Sequence, residues 1–224
     1  MMALWAAIGV LGVAAQGAVS FFYKPSWTTD HKGLDANWRR LAIYSTLVGA
    51  LFVLGETVVS YSFDTSNYMA AVIGVVAFTT FQSCFTDMTV FYVDAWMARV
   101  GNLIALGVAI FLLYHFGLES ERVTFAVFAV LAFAVAFFPG IGNADGRALQ
   151  TLVYSIYPFF VLPGLKLALY GVLVALIVYY VANSIYLRSW DFKKLFTKKH
   201  FPMVPIILIP TLLVLFLGQF IPGL

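Results

Sequence analysis

The sequence predicts an all-α fold: a polytopic transmembrane helical bundle of about eight spans, with both termini outside the cytoplasm. Three observations predict it. Hydrophobic residues make up 62% of the 224 and charged residues 10%, whereas a soluble domain carries about 25% charged, so water is not the main solvent. Apolar runs of roughly 20 residues, the length that crosses a hydrocarbon core about 30 Å thick, recur along the chain. Lysine and arginine concentrate in alternate connecting loops, the asymmetry that orients membrane helices.

The runs fall at about 2–23, 40–62, 67–87, 100–117, 122–140, 147–163, 166–187 and 203–222. The first has no basic residue ahead of it and is followed by another apolar run, so it is expected to be a retained helix. The small residues Ala14 and Ala15 leave signal cleavage as the alternative. The second run carries a carboxylate, Glu56, and the third ends on Asp87. The sixth is short and holds Pro158 and Pro163. That predicts a tilted, kinked or partly spanning helix, or one broken to admit water or substrate. The polar stretches at 24–39 and 188–202 are loop-sized, so no soluble domain fits between the spans. The chain therefore reads as one integral-membrane domain, 1–224, with two leading helices in 1–62 and the aspartates in 63–224.

Eight spans place Lys24, Lys32, Arg39, Arg40, Arg99, Arg147, Arg188, Lys193, Lys194, Lys198 and Lys199 on one side and Arg122 and Lys166 on the other. Eleven against two makes the first side cytoplasmic and the expected location an inner or plasma membrane. A single Cys84 and the scattered His31, His115 and His200 supply no metal-ligand spacing, and no cofactor is implied. The net charge is +3, and the basic residues are not interleaved with aromatics on one face. Lipid headgroups, not nucleic acid, are therefore the expected partner. In 191–199, Phe192, Leu195 and Phe196 alternate with lysines, which fits either a surface helix on anionic lipid or a plain topogenic loop.

Asp87 and Asp145 both border apolar helices on the cytoplasmic side. A carboxylate there costs roughly 2.5 to 3.5 kcal/mol on insertion scales, so the pair is a functional-site hypothesis. Two carboxyl groups sharing a proton can hydrolyse a peptide bond, one as base toward water and the other as acid toward the carbonyl oxygen. Gly140, Gly142 and Gly146 flank Asp145, allowing close backbone approach and room for a substrate chain. Glu56 reads either as a structural hydrogen-bonding group or as active-site support; Arg147 either as an anion holder beside Asp145 or as a topology-setting residue. Asp94, seven residues after Asp87, is expected in a loop. Cys84 reads as a small hydrophobe, His115 as an interfacial residue, and Trp27, Trp38, Trp96 and Trp190 as interface anchors.

These acids sit in motifs that resemble those of type IV prepilin peptidases, membrane aspartic proteases with a Gly-x-Gly-Asp signature. The first family motif is an aspartate followed six and seven positions on by an aliphatic residue and proline; here Asp87 is followed by Val93 and Asp94. The second appears as Gly142, Asn143, Ala144, Asp145, Gly146, Arg147. Ala144 stands in place of the second glycine, as in the archaeal preflagellin branch, and Arg147 keeps the charge of the usual lysine. His200 to Pro205 opens the last run in the manner of bacterial members. The resemblance implies an aspartic endopeptidase in which Asp87 and Asp145 activate water, supported by Gly142, Ala144, Gly146 and Arg147. Its substrates would be prepilin, pseudopilin or archaellin-like precursors, cut at the cytoplasmic membrane face next to an apolar helix that docks from lipid. The four-cysteine cluster of many bacterial members is absent, so the resemblance does not extend to methyl transfer.

Three other readings compete. A presenilin or signal-peptide-peptidase-like protease would have Tyr before the first aspartate, where Thr86 stands, and Pro-Ala-Leu near the end, which is missing. A proton-coupled transporter would use Glu56, Asp87 and Asp145 as a relay. A silent membrane subunit would keep the fold alone.

Overall fold

The computed structural model describes residues 2–62, 68–90, 93, 95–137, 143–187 and 203–222. All regular structure among them is helical: α1 (Met2–Phe22), a 3-10 turn (Ser26–Asp30), α2 (Lys32–Ser62), α3 (Ala70–Val90), α4 (Ala95–His115), α5 (Glu119–Val135), α6 (Asn143–Leu187) and α7 (Met203–Leu217), closed by a 3-10 turn (Gly218–Phe220). Among the described residues six helices are long and apolar enough to cross a membrane. α5 is shorter, at 17 residues, and α6 counts once although it folds back on itself. The segment 191–199, with Asp94, Gly140, Gly142, Trp190 and His200, lies outside the described residues.

The reversal in α6 is at Val161, whose φ of 48° and ψ of −144° leave the helical region. A β-branched residue is strained at positive φ. Pro158 and Pro163 bracket it, and a proline has no N–H to continue the ladder and a ring that crowds the preceding turn. Before the break, the helix runs alongside α7: Asp145 lies near the α3 end that meets Val204, and Phe160 lies under Gly218. After it, Gly171 faces Pro210 and Ala182 shares a groove with Pro205, so this half runs opposite to α7. The reversal falls close to the boundary expected between the runs at 147–163 and 166–187 and joins two antiparallel rods.

Directions alternate along the chain. Trp38 meets Ser20, and Gly49 meets Val13, so α1 and α2 are antiparallel; Gln16 bonds Thr79 and Ser20 bonds Gln82, so α1 and α3 are parallel. α4 opposes α1, with Gly101 at Gln16 and Ile104 at Gly12, and runs with the first half of α6, where Asn102 bonds Arg147. α5 opposes that half, with Glu121 at Tyr157 and Ala136 at Gly146. The last residues of α1, α3, α5 and the second half of α6 therefore gather at one end of the bundle.

α3 is the central helix, buried continuously from Ala70 to Thr80. Lipid gives helices no hydrophobic reason to associate, so close packing and polar contacts must hold them. Both are present. A methyl added at Gly49 would lie 2.8 Å from the Gly74 carbonyl oxygen, and one at Gly74 would overlap Val53, so the glycines let α2 and α3 touch backbone to backbone. Gln16 Nε2 donates to Thr79 Oγ1 at 2.9 Å and Gln82 Nε2 to Ser20 Oγ at 2.5 Å, tying α1 to α3 in the interior. Outward faces are apolar: on α2, Leu47, Leu51, Leu54 and Val58 form an exposed stripe. Their helical spacing makes one continuous surface that hydrocarbon would cover.

Two sequence expectations are corrected. The stretch 24–39, read as loop, is a 3-10 turn followed by α2 from Lys32, because Leu34, Trp38 and Leu41 fall on one face and pack against Trp27 and Val90. Trp38, read as an interface anchor, is fully buried, and its Nε1–H donates to the Ser20 carbonyl at 2.7 Å. A buried indole N–H needs such a partner. Trp96 is exposed, with the Arg99 guanidinium 4.8 Å from its ring centre.

Candidate active site: an aspartate pair at one end of the bundle

Asp87 lies in the last turn of α3, where Thr86 and Thr89 donate their hydroxyls back to the carbonyls of Gln82 and Phe85. Such back-bonding leaves the helix intact. A negative charge at a helix C-terminus is opposed by that helix's own dipole. Another helix supplies the compensation. α7 begins at Met203, and the Val204 N–H donates to Asp87 Oδ2 at 3.3 Å. An N–H in the first turn has no partner within its own helix and is free to meet an anion. Asp87 is 7% exposed.

Asp145 lies in the first turn of α6, where the dipole favours an acid. It is half-buried, more open than Asp87, and close enough that its charge acts on the Asp87 carboxylate. The structure therefore brings together two acids that are far apart in the chain.

Successive residues on a helix point about 100° apart, so 145, 146 and 147 address three different neighbours. Asp145 faces Asp87. Gly146 faces α5: a methyl there would overlap the Ala136 backbone, so the glycine permits contact between the start of α6 and the end of α5. The room expected there for a substrate is filled by α5. Arg147 faces α4, where Arg99 lies within electrostatic range, and its Nε is buried with no hydrogen-bond partner among the described residues. Residues two apart on a helix do not face each other, so Arg147 is turned away from Asp145. Beneath it, Asn102 donates to the Arg147 carbonyl at 3.2 Å and accepts from Thr151 at 2.6 Å, fixing α6 on α4. Ala144 is half-buried against the core.

No family model, curated protein or solved structure matches this chain.

Glu56 is not part of the pair. It is buried at the opposite end, where Gln219 Nε2 donates to Oε2 at 3.0 Å and Ser60 Oγ to Oε1 at 3.1 Å. Val204, which holds Asp87, starts α7, and Gln219, which holds Glu56, lies in the turn after it. At helical rise the two donors stand roughly 20 Å apart. Cys84 is half-buried against the core, one turn before Asp87. His115 is exposed in an aromatic cluster, 4.5 Å from the Phe111 ring centre. Among the described residues no group of His, Cys, Asp and Glu could hold a metal ion.

Sequence reading missed Val204 and the pairing of Arg99 with Arg147. A main-chain donor leaves no trace in residue type. Arg99 was within reach, because it and Arg147 open spans of the same direction and must share an end.

Proposed function

We propose that the chain is an intramembrane aspartic endopeptidase of the prepilin-peptidase kind, with Asp87 and Asp145 as its catalytic residues. The observation that carries the reading is that these two carboxyl groups lie at one end of the bundle, within electrostatic range of each other. In the mechanism, the ionised carboxyl takes a proton from water as the water oxygen bonds to the scissile carbonyl carbon, and the protonated one gives its proton to the carbonyl oxygen. Collapse of the tetrahedral intermediate breaks the C–N bond, the amine leaving with a proton from the pair.

Support for the membrane arrangement comes from the direction of the helices. Counting the two rods of α6 and the short α5 each as a crossing, as this reading does, gives eight. Lys24, Lys32, Arg39, Arg40, Arg99 and Arg147 then share the aspartate end, and Arg122 and Lys166 the other. That distribution supports a cytoplasmic aspartate end and external termini. A groove of about 810 Å³ between the second half of α6 and α7 supports an apolar substrate helix: it is lined by Leu167, Val178, Pro210 and Leu213 and reaches Met88 and Pro205, the neighbours of Asp87 and Val204.

A proton relay through Glu56, Asp87 and Asp145 is less well supported, because Glu56 is engaged by two donors at the far end of α7. The test is a panel of prepilin, pseudopilin and archaellin leader reporters incubated with membranes containing the protein. Cleavage after the leader of at least one is expected; no cleavage of any, with proton movement in proteoliposomes, would replace the protease with the relay.

A further inference from the structure

Behind the aspartates, on the far face of α3, lies a second groove, between the start of α2 and the end of α3. Its volume is about 640 Å³. Its cationic lining, Lys32 and Arg40 of α2, lies toward the end of the bundle, and its aromatic lining, Tyr44 of α2 and Phe81 and Phe85 of α3, lies further in. Spacings of four along each helix keep these side chains on one face. Phe85 and Asp87 are two apart, so the groove and the aspartate site point in opposite directions from α3.

Among the described residues the cations at the mouth form no ion pair. Asp35, the acid in the first turn of α2, is engaged by an ion pair with Lys24 and by the Thr28 hydroxyl at 3.2 Å. Arg39, next to Arg40, turns to α1, with its guanidinium 5.3 Å from the Phe21 ring centre. Neither Lys32 nor Arg40 has a carboxylate partner among the described residues. Two cations over an aromatic trough at a helix end are complementary to an amphiphile with an anionic head and a hydrocarbon tail. A zwitterionic lipid brings its own ammonium with its phosphate and leaves the net positive charge of the mouth uncompensated, and a soluble anion would leave Phe81 and Phe85 uncovered.

We propose that this groove is a binding site for one anionic phospholipid, its phosphate held by Lys32 and Arg40 and an acyl chain lying over Tyr44, Phe81 and Phe85. The site does not depend on the peptidase reading, and its test does not use activity. Delipidated protein in neutral detergent is titrated with phosphatidylglycerol, phosphatidylcholine or inorganic phosphate, and binding is followed by native mass spectrometry and by melting temperature. One phosphatidylglycerol per chain is expected to remain bound, at least tenfold more tightly than phosphatidylcholine, with a raised melting temperature. Inorganic phosphate at the same concentration is expected to leave the melting temperature unchanged. Lys32→Gln with Arg40→Gln, both exposed and so compatible with folding, removes the preference, and Lys166→Gln at the other end keeps it. Equal binding of the two lipids, an unaffected double variant, or full stabilisation by inorganic phosphate alone would each overturn the site.

Discussion

The two ends of the bundle treat buried carboxylates in opposite ways. At the far end, Glu56 has no second acid beside it among the described residues, receives Ser60 and Gln219 as donors, and joins α2 to the turn after α7. At the near end, Asp87 receives one long bond from a backbone N–H and has another acid, Asp145, in electrostatic range. Burying a carboxylate costs several kcal/mol, and hydrogen bonds offset that cost. Placing a second acid beside it adds to the cost. Burial alone therefore does not separate structure from chemistry; convergence of like charges does, because it lowers stability without any packing return.

The comparison breaks most visibly at the pair. Asp87→Asn and Asp145→Asn are expected each to lower cleavage of a leader reporter by about 10²- to 10⁴-fold, the range a positioned acid or base supplies. Melting temperature in detergent should hold or rise, since an amide oxygen can still accept the Val204 N–H and the repulsion is gone. A clear drop in melting temperature with cleavage retained would make the near end structural, like the far one.

The next effect is at Gly146. Adding a methyl forces the start of α6 off the Ala136 backbone, and backbone cannot yield as a side chain does. Gly146→Ala should cost about 2–3 kcal/mol, the upper part of the overpacking range. The loss is read as a lower melting temperature with weakened cleavage, because Asp145 moves with the turn. Unchanged stability would mean that α5 does not rest on α6 there.

Much of this was legible in the sequence. Acids in apolar runs stand out by composition, and the basic residues sort the loops, so residue order alone puts Asp87 and Asp145 on one side. The paired prolines and Lys166 marked the reversal in α6. What escaped depended on a neighbour: the open side of Gly146 reads as substrate space until Ala136 fills it, and Glu56 reads as near the site until Gln219, 163 positions later, claims it. The early start of α2 was readable, since Leu34, Trp38 and Leu41 keep helical spacing, but the lysines and arginines among them outweighed that period.

At the far end, Glu56→Gln keeps the shape and the oxygen that accepts from Gln219, but its NH2 then meets the Ser60 hydroxyl, which must turn from donor to acceptor and loses its present bond. Losing one such bond in the interior costs about 1–2 kcal/mol. Cleavage per folded molecule is expected to stay within twofold of wild type. A stable but inactive Glu56→Gln would join the two ends functionally and revive the relay.

Ser60→Ala is the mildest and most discriminating change. It removes a hydroxyl donor at 3.1 Å from Glu56 Oε1 and leaves the Gln219 bond in place, so the carboxyl group keeps one donor. A loss of about 0.5–1 kcal/mol is expected, the lower part of the range for one hydrogen bond, because alanine keeps most of the packed volume. Combining it with Gln219→Leu, in turn, should cost more than the sum of the two, since the second loss strands the buried acid with no donor. Cleavage should not follow either step. If reporter cleavage fell together with stability across Ser60→Ala, Gln219→Leu and the double variant, after correction for folded protein, the far end would be setting the geometry of the near one, and the division of labour between them would be lost.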